Sequence, residues 1–315
     1  MRITNSNQNL WAVTCYFNPA GYRRRLENFK AFRKGLAVPL VAVELGHGQR
    51  FDLGDSDAEI LIQLRSPDVM WQKERLLNIG FAAVPAGVDK VAWLDCDVLL
   101  AADDWAESVN RQLDEFNVVH LLRRRVNLPS AYSGCFPPEE TGEEEALSTI
   151  HEWTRGYPVD GAIADSGAPL RLKQTLGLAW AARREILDQH GLYDAAIMGS
   201  ADRLIAAAAL GRFTAAEQAT RMNEVQRTHY RRWAEPFYQS VKSRVSYLDQ
   251  TIYHLWHGDL RNRAYAERHD LLRRFEFDPC SDLRLDESAC WGWNSDKPEL
   301  HRHVKDYFAA RREDG

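Results

Sequence analysis

The segment 91–100, VAWLDCDVLL, constrains the fold most, because it is an apolar run interrupted only by Asp95, Cys96 and Asp97. Its first four residues are typical of a buried strand. Two carboxylates at the end of a buried run are costly unless a cation meets them. A divalent metal held by oxygen ligands is the obvious cation. The pattern therefore indicates a sheet strand that ends at a metal-binding pair.

Strand-like and helix-like segments alternate through the first half of the chain. Apolar runs predict strands at 10–17, 39–45, 58–64 and 118–122, and amphipathic spacing predicts helices at 22–36, 70–84 and 105–116. This alternation predicts an α/β fold with a mostly parallel central sheet flanked by helices. Ligands of such sheets bind at the carboxyl ends of the strands, where Asn18, Glu44, Asp95 and Asp97 fall.

The second half is less regular. The stretch 128–170 is rich in Gly, Pro and Glu and predicts a long loop region. Regular patterns return as a strand and helix at 177–189, an Ala-rich helix at 200–210, a strand ending in histidines at 251–258, and helices at 262–274 and 298–312. No internal repeat or Gly/Ser linker divides the sequence. We therefore expect one continuous domain over 1–260, with a C-terminal helical extension, 261–315, packed on it.

Bulk properties exclude several classes of protein. The net charge of −5 gives no global basic field to attract nucleic acid. Five cysteines without CxxC spacing read as free thiols in a reducing compartment. No apolar run approaches the roughly 20 residues of a membrane span, and the first ten residues have no signal-peptide core. We therefore expect a cytoplasmic protein. The absence of GxGxxG and Walker motifs argues against dinucleotide and ATP binding.

The Asp-x-Asp pattern has three interpretations. It could be a surface turn, where Asp is common. It could be the nucleophile motif of a haloacid-dehalogenase phosphatase, although that motif opens its domain and has Thr where this chain has Val98-Leu99. It could also be the metal-binding pair of a nucleotide-sugar glycosyltransferase, in which a cation bridges a carboxylate and the diphosphate.

Residues on either side of the pair bear on this choice. Lys73 and Arg75 lie near the N-terminus of the preceding helix, which suits diphosphate or ribose contact as well as a solvated face. Glu44 ends a strand, where an acidic side chain can accept hydrogen bonds from a base or ribose. Asp202 follows a glycine turn and could be reactive or simply cap a helix.

Two histidines, His254 and His257, stand three residues apart at the end of an apolar strand. A straight strand would direct them to opposite faces, so they can converge only if the chain turns at 256–258. Carboxylate and phosphate oxygens together with imidazole nitrogens suit Mn²⁺ or Mg²⁺, and imidazole favours Mn²⁺.

The motifs resemble those of the β-1,4-galactosyltransferase family. WQKERLLNIGF at 71–81 followed by VAWLDCDVLL is similar to that family's Arg/Lys-Leu-Leu-Asn helix and Asp-Val-Asp motif. GLAWAA at 177–182, GLYD at 191–194, GSAD at 199–202 and HLWH at 254–257 resemble, in order, its later strand, turn, acceptor and metal-ligand segments. The resemblance implies a GT-A fold, with a nucleotide-binding half at 1–125 and an acceptor half at 126–260.

The same resemblance implies a function and residue roles. It implies a metal-dependent inverting hexosyltransferase that moves a sugar from a nucleoside-diphosphate sugar, expected to be a UDP-sugar, to a glycan or other hydroxyl acceptor. Asp97, His257 and His254 would bind the metal, Asp95 would contact the sugar or ribose, and Asp202 would be the general base. The chain departs from the family at Ala201, at Met198, and at Asn18-Pro19, where the usual Arg is missing.

Three alternatives stay open. The same chemistry could act on a hydroxymethylated base in DNA, which the local arginine clusters permit. The chain could be a haloacid-dehalogenase-like phosphatase. It could also be a non-catalytic sugar-nucleotide binder, as Ala201 allows.

Overall fold

A central sheet with helices packed on it dominates the computed structural model, which describes residues 9–134, 144–164, 173–264 and 267–315. The strands are β1 (Leu10–Phe17), β2 (Leu40–Gly46), β3 (Ile60–Arg65), β4 (Lys90–Leu94), β5 (Val98–Leu100), β6 (Val118–His120), β7 (Arg124–Asn127), β8 (Glu144–Ser148), β9 (Gln174–Thr175), β10 (Ala179–Arg183), β11 (Val245–Tyr247), β12 (Thr251–His254), β13 (Leu283–Leu285) and β14 (Trp291–Trp293).

The α-helices lie mostly between these strands. They are α1 (Arg23–Gly35), α2 (Lys73–Ala83), α3 (Trp105–Glu115), α4 (Thr149–Thr154), α5 (Asp160–Ala164), α6 (Arg184–His190), α7 (Ala201–Leu210), α8 (Phe213–Ala219), α9 (Glu224–Val241), α10 (Arg268–Arg274), α11 (Pro279–Asp282) and α12 (Pro298–Ala310). Short 3₁₀ turns occur at Asp55–Asp57 and Leu260–Arg263.

The central sheet has seven strands in the order β11-β6-β10-β4-β1-β2-β3. The pairs β1–β2, β2–β3, β1–β4 and β6–β11 are parallel, whereas β10 is antiparallel to both β4 and β6. The expected α/β architecture with a central sheet flanked by helices is confirmed, and the sheet is mixed because β10 enters it from the opposite end.

Apolar side chains cover both faces of this sheet. Along β1, Val13 and Phe17 join the cluster formed with α2, α6, α7 and α9, whereas Ala12 and Tyr16 join the cluster formed with α1 and α3. Alternation of this kind follows from the two-residue period of a strand. Two layers of helices therefore hold the carboxyl ends of β1, β2 and β4 in fixed positions.

A second sheet has five strands in the order β5-β12-β7-β8-β9. Strand β5 pairs antiparallel with β12, and His254 lies opposite Val98. The chain passes from β4 in the central sheet to β5 in the second sheet through residues 95–97. The Asp-x-Asp segment therefore occupies the junction between the two sheets.

Sequence patterns located the first half well. All the predicted strands and helices up to residue 122 occur within three residues of their expected ends, as do the strand and helix at 177–189 and the helices at 200–210 and 298–312. The long loop expected at 128–170 is wrong in part, since β8, α4 and α5 lie within it; residues 135–143 and 165–172 lie outside the described residues. These elements have five or six residues, too few to show a period.

The C-terminal segment also differs from expectation. The helix expected at 262–274 is split into the 3₁₀ turn at Leu260–Arg263 and α10, and the β13–β14 hairpin interrupts the helices that follow. Phe308 of α12 packs edge-on against Phe17, with ring centroids 6.0 Å apart, and stacks on Trp71. The domain boundary at residue 260 stays a prediction. In the part of the chain that the structure describes, no helix is both long and apolar enough to cross a membrane.

Candidate active site

Asp97, His254 and His257 meet at the junction between the sheets. One possible ligand atom from each lies within 4.8 Å of the other two. Asp97 Oδ2 is 3.2 Å from His257 Nε2, and Asp97 Oδ1 is 3.7 Å from His254 Nε2. The two Nε2 atoms are 3.0 Å apart. The chain thus assembles a carboxylate and two imidazoles from segments more than 150 residues apart.

Backbone pairing explains why these side chains meet. The β5–β12 register sets His254 beside the residue that follows Asp97, and the Leu255 amide donates to the Asp97 carbonyl at 2.8 Å. Strand β12 ends at His254, and the chain then turns, with Gly258 at a φ of 88° that favours glycine. The turn expected at 256–258 therefore brings His257 to the same side as His254.

These three residues fit a divalent cation. Asp97 Oδ1 is buried and has no hydrogen-bond partner among the described residues. His254 Nδ1 lies 3.2 Å from Asn127 Oδ1, an acceptor, which favours the tautomer with the proton on Nδ1 and the lone pair on Nε2, the nitrogen on the side of Asp97. A buried carboxylate oxygen without a donor, next to two imidazole nitrogens, is a ligand set of the kind that Mn²⁺ accepts.

Burial controls the protonation of the cluster. It raises the pKa of Asp97 to about 7, with a further contribution from Asp95 and opposition from Arg25 and Arg263. Burial lowers the pKa of His257 to about 3, helped by Arg263, and holds the pKa of His254 well below its usual value. Both imidazoles are therefore neutral at pH 7, which is the form that binds metals.

A second cluster of charged side chains, Lys73 with Asp95 and Asp202, lies beside Asp97 and the two histidines. Lys73 Nζ is 2.6 Å from Asp95 Oδ1 and 3.0 and 3.1 Å from the two carboxylate oxygens of Asp202. Burial alone would lower the pKa of Lys73, but Asp202 and Asp95 raise it well above its usual value. The ammonium therefore stays charged and holds the two carboxylates together. Asp202 remains 28% exposed, so a ligand can reach it.

Local structure fixes the position of Asp202. It lies in the first turn of α7, whose N-cap is Ser200, so Asp202 is not the capping residue. Its side chain approaches Gly177 so closely that a Cβ there would be 2.9 Å from Asp202 Oδ2. Glycine at this position is what allows Asp202 to reach Lys73.

A buried acid, Glu74, adjoins this group. Burial raises its pKa to about 8; the positive charge of Lys73 opposes that rise, and the negative charge of Asp202 adds to it. Burial therefore favours the neutral form of Glu74, which limits the negative charge that Lys73 has to balance. Sequence spacing gave no indication of it, because Glu74 looks like an ordinary helix residue.

Other predicted residues have different partners. Asn18 bonds to both the amide and the carbonyl of Tyr22. Glu44 accepts from the amides of 52 and 53 and from the Gln63 side chain. Both line a cleft of about 330 Å³ beyond the ends of β1 and β2, which Tyr16 and Asp52 also border.

The partners of Arg75 lie elsewhere than Asp95 and Asp202. Its guanidinium is 3.2 Å from Asp194, donates to the Ala289 carbonyl at 2.7 Å, and lies over the Trp291 ring. These contacts tie α2 to the C-terminal hairpin. The structure therefore brings Lys73, but not Arg75, to Asp95.

Three charged residues near the histidines are not among the predicted site residues. Arg263 Nη2 lies 2.9 Å from His257 Nε2 and 3.1 Å from its Nδ1. Glu313, fully buried, lies 3.7 Å from His257 Nδ1 and pairs with Arg25 at 2.5 Å. They belong to segments that only the tertiary fold brings together.

No protein-family model matches the chain, and no curated protein matches its sequence. Among solved structures, Staphylococcus aureus TarS 1–349 in complex with UDP-GlcNAc is 12% identical, with a TM-score of 0.40 over 79% of this chain and 58% of that one. Glucosyl-3-phosphoglycerate synthase from Mycobacterium tuberculosis, in complex with Mn²⁺, uridine diphosphate and phosphoglyceric acid, is 14% identical, with a TM-score of 0.40 over 87% and 81%.

The catalytic domain of Drosophila β1,4-galactosyltransferase 7 in complex with xylobiose is 15% identical, with a TM-score of 0.31 over 66% and 62%. This chain spans 37% of the length of a longer TarS chain. All these TM-scores are below 0.5, so none of these structures assigns a function to this chain.

Proposed function

We propose that the protein is a metal-dependent inverting glycosyltransferase. It moves a sugar from a nucleoside-diphosphate sugar, expected to be a UDP-sugar, to an acceptor hydroxyl. The observation that carries this proposal is the position of a cation-binding cluster, Asp97 with His254 and His257, beside a partly exposed carboxylate, Asp202. Displacement of a diphosphate by a hydroxyl needs a positive charge that stabilises the leaving diphosphate and a base that takes the proton of the acceptor hydroxyl.

Asp97, His254 and His257 are the residues that would hold Mn²⁺ or Mg²⁺, and the two imidazoles favour Mn²⁺. When bound, the cation supplies Lewis-acid stabilisation of the charge on the departing diphosphate. The cleft beside Asn18 and Glu44 supports a place for the base and ribose, since it opens at the carboxyl ends of β1 and β2.

Asp202 is proposed as the general base. It takes the proton of the acceptor hydroxyl while that oxygen forms a bond to the anomeric carbon and the bond from that carbon to the diphosphate breaks. Lys73 contacts both oxygens of Asp202 and also Asp95, so it positions the base relative to the donor sugar or ribose that Asp95 is proposed to bind.

A donor-hydrolysis and transfer assay tests the proposal. Purified protein is incubated with a panel of UDP-sugars and hydroxyl acceptors, with Mn²⁺ or with EDTA, and UDP release is measured. We expect release that requires the metal, loss of it in Asp97→Asn, and loss of transfer in Asp202→Asn with Mn²⁺ affinity retained. Asp103→Asn, which changes an exposed carboxylate outside the site, is the matched control. Full turnover in Asp97→Asn would overturn the proposal.

The alternatives give other outcomes in the same samples. A phosphatase would release inorganic phosphate and leave a trapped phosphoryl group on Asp95. A non-catalytic binder would bind the donor without hydrolysing it. A transferase acting on DNA would bind duplexes with steep salt dependence; several arginines that could contact phosphate are paired instead, such as Arg23 with Glu27, Arg123 with Asp249 and Arg231 with Glu217.

A further inference from the structure

We propose that Glu313 is a positioning residue for the candidate metal site, an inference that rests on the proposed function. Its carboxylate is fully buried 3.7 Å from His257 Nδ1, on the opposite edge of the imidazole from the Nε2 that faces Asp97. At 3.7 Å the contact is electrostatic rather than a direct hydrogen bond. A negative charge on that edge favours the proton on Nδ1 and so the lone pair on Nε2, the nitrogen that Asp97, His254 and the Arg263 guanidinium all approach.

Glu313 is itself held on two sides. Arg25 Nε donates to Oε2 at 2.5 Å and Arg25 Nη2 to Oε1 at 3.3 Å, while Arg311 Nε also donates to Oε1. Arg25 Nη1 in turn donates to the Phe17 carbonyl at 2.8 Å, at the end of β1. His257 is therefore linked through one buried carboxylate to the central sheet.

The segment around Glu313 is tightly fixed over the histidine turn. A Cβ on Gly258 would lie 2.9 Å from the carbonyl oxygens of Arg311 and Arg312, so the two backbones are in contact. On the other side, Asp314 accepts hydrogen bonds from the first amides of α1. Because both flanks are anchored, the Glu313 carboxylate has little freedom to leave His257.

This arrangement matches what metal-binding histidines need. A ligating imidazole gains basicity and a fixed ring orientation when its other nitrogen faces a carboxylate, and loss of that partner typically weakens metal binding about 10-fold to 100-fold. Asn127 has the corresponding place beside His254, with an amide oxygen instead of a charge. Of the two side chains that lie behind the histidines, Asn127 and Glu313, only Glu313 is charged.

A double-mutant cycle tests the inference by Mn²⁺ binding, measured from the electron paramagnetic resonance signal of free Mn²⁺. Glu313→Gln is expected to weaken binding about tenfold or more, and Glu313→Asp, which keeps the charge, to weaken it less. In a His257→Ala background, Glu313→Gln is expected to add no further loss, because its effect passes through that imidazole. Asp103→Asn, which changes an exposed carboxylate outside the site, is the control and should bind Mn²⁺ normally.

The outcomes distinguish failure of the metal site from failure of the role of Glu313. If His257→Ala binds Mn²⁺ as the wild type does, the metal site of the proposed function fails. If His257→Ala weakens binding but Glu313→Gln and Glu313→Asp do not, the positioning role of Glu313 is wrong and the metal site stands. Equal losses from Glu313→Gln in both backgrounds would also reject it. Should Glu313→Gln fail to fold, the Glu313→Asp and His257→Ala cycle decides the question with the same readout.

Discussion

At the scale of single residues, the absence of a side chain at position 177 determines where Asp202 can lie. A Cβ in Gly177→Ala would be 2.9 Å from Asp202 Oδ2 and 3.2 Å from its Cγ, so the carboxylate has to move. Small displacements of a base cost rate far more than binding, and we expect kcat for transfer to fall about tenfold or more. Donor KM should stay near its wild-type value.

The matched control for this variant is Gly87→Ala, where a Cβ meets nothing within 4 Å. It should have wild-type kcat. A wild-type kcat in Gly177→Ala as well would mean that the close approach to Asp202 has no part in catalysis.

His120 gives a residue-scale prediction about pH. The ring is fully buried, its Nε2 donates to the Gly177 carbonyl at 3.0 Å, and its Nδ1 lies 2.7 Å from Ser148 Oγ. Burial lowers its pKa from 6.5 to about 4. In the folded protein the neutral ring is favoured, so the unfolded chain takes up a proton first as the pH falls.

The contribution of His120 to the free energy of unfolding is complete above pH 6.5 and is lost as the pH falls toward 4, by roughly 3 kcal/mol for a shift of this size. In His120→Gln, stability at pH 7 should drop from lost stacking on Trp180, but its further decline between pH 6.5 and 4 should be shallower. Urea unfolding at several pH values measures both. An unchanged slope would contradict the assignment.

At the scale of elements, α2 is the helix that brings Lys73 to the site, and its distance from the sheet depends on Gly80. A Cβ at Gly80 would lie 2.5 Å from Val13 Cγ1 and 3.1 Å from Val43 Cγ2. Overpacking of this kind costs about 1–3 kcal/mol, so Gly80→Ala should lower stability by that amount and shift Lys73 away from Asp202.

A second substitution makes this prediction specific. Val13→Ala removes the methyl group that an alanine at position 80 would strike, so the double variant Gly80→Ala/Val13→Ala should be less destabilised than the sum of the single variants. Urea unfolding of all four proteins measures the coupling. Strict additivity would show that α2 does not press on β1 at this point.

Long, periodic elements could be predicted and short ones could not. Strands β1 to β4 and helices α1 to α3 have enough residues for the two-residue or 3.6-residue period to appear, and they occur where the sequence places them. Strands β5, β7 and β8 have three to five residues and gain their place from pairing partners far along the chain. The second sheet, which includes His254, therefore has no pattern in the sequence that would predict it.

At the scale of the whole molecule, some residues of the candidate site could be predicted from the sequence and others could not. Asp95 and Asp97 could be identified because carboxylates at the end of a buried run are unusual, and the histidines because they end an apolar strand. Nothing local distinguishes Glu74, Arg263 or Glu313, since their chemistry comes from burial and from partners that only the tertiary fold supplies. The sequence predicts Lys73 as a diphosphate or ribose contact, but its link between Asp95 and Asp202 appears only in the structure.

The last prediction concerns the stability of the entire fold. A cation bound by Asp97, His254 and His257 joins segments more than 150 residues apart, so it binds the folded chain and not the unfolded one. At a Mn²⁺ concentration 100 times the dissociation constant, such binding adds about 2.7 kcal/mol to the free energy of unfolding. For a chain of this size that corresponds to a rise of about 5 °C in Tm.

Thermal melts with Mn²⁺, with Ca²⁺ and with EDTA measure this rise. We expect the largest rise with Mn²⁺, because imidazole ligands favour it over Ca²⁺. Asp97→Asn should melt at the same temperature with and without Mn²⁺, His257→Ala should show a smaller rise than the wild type, and Asp103→Asn should keep the full rise. A rise of equal size in Asp97→Asn would place the metal elsewhere on the protein and leave the junction of the two sheets without its proposed ligand.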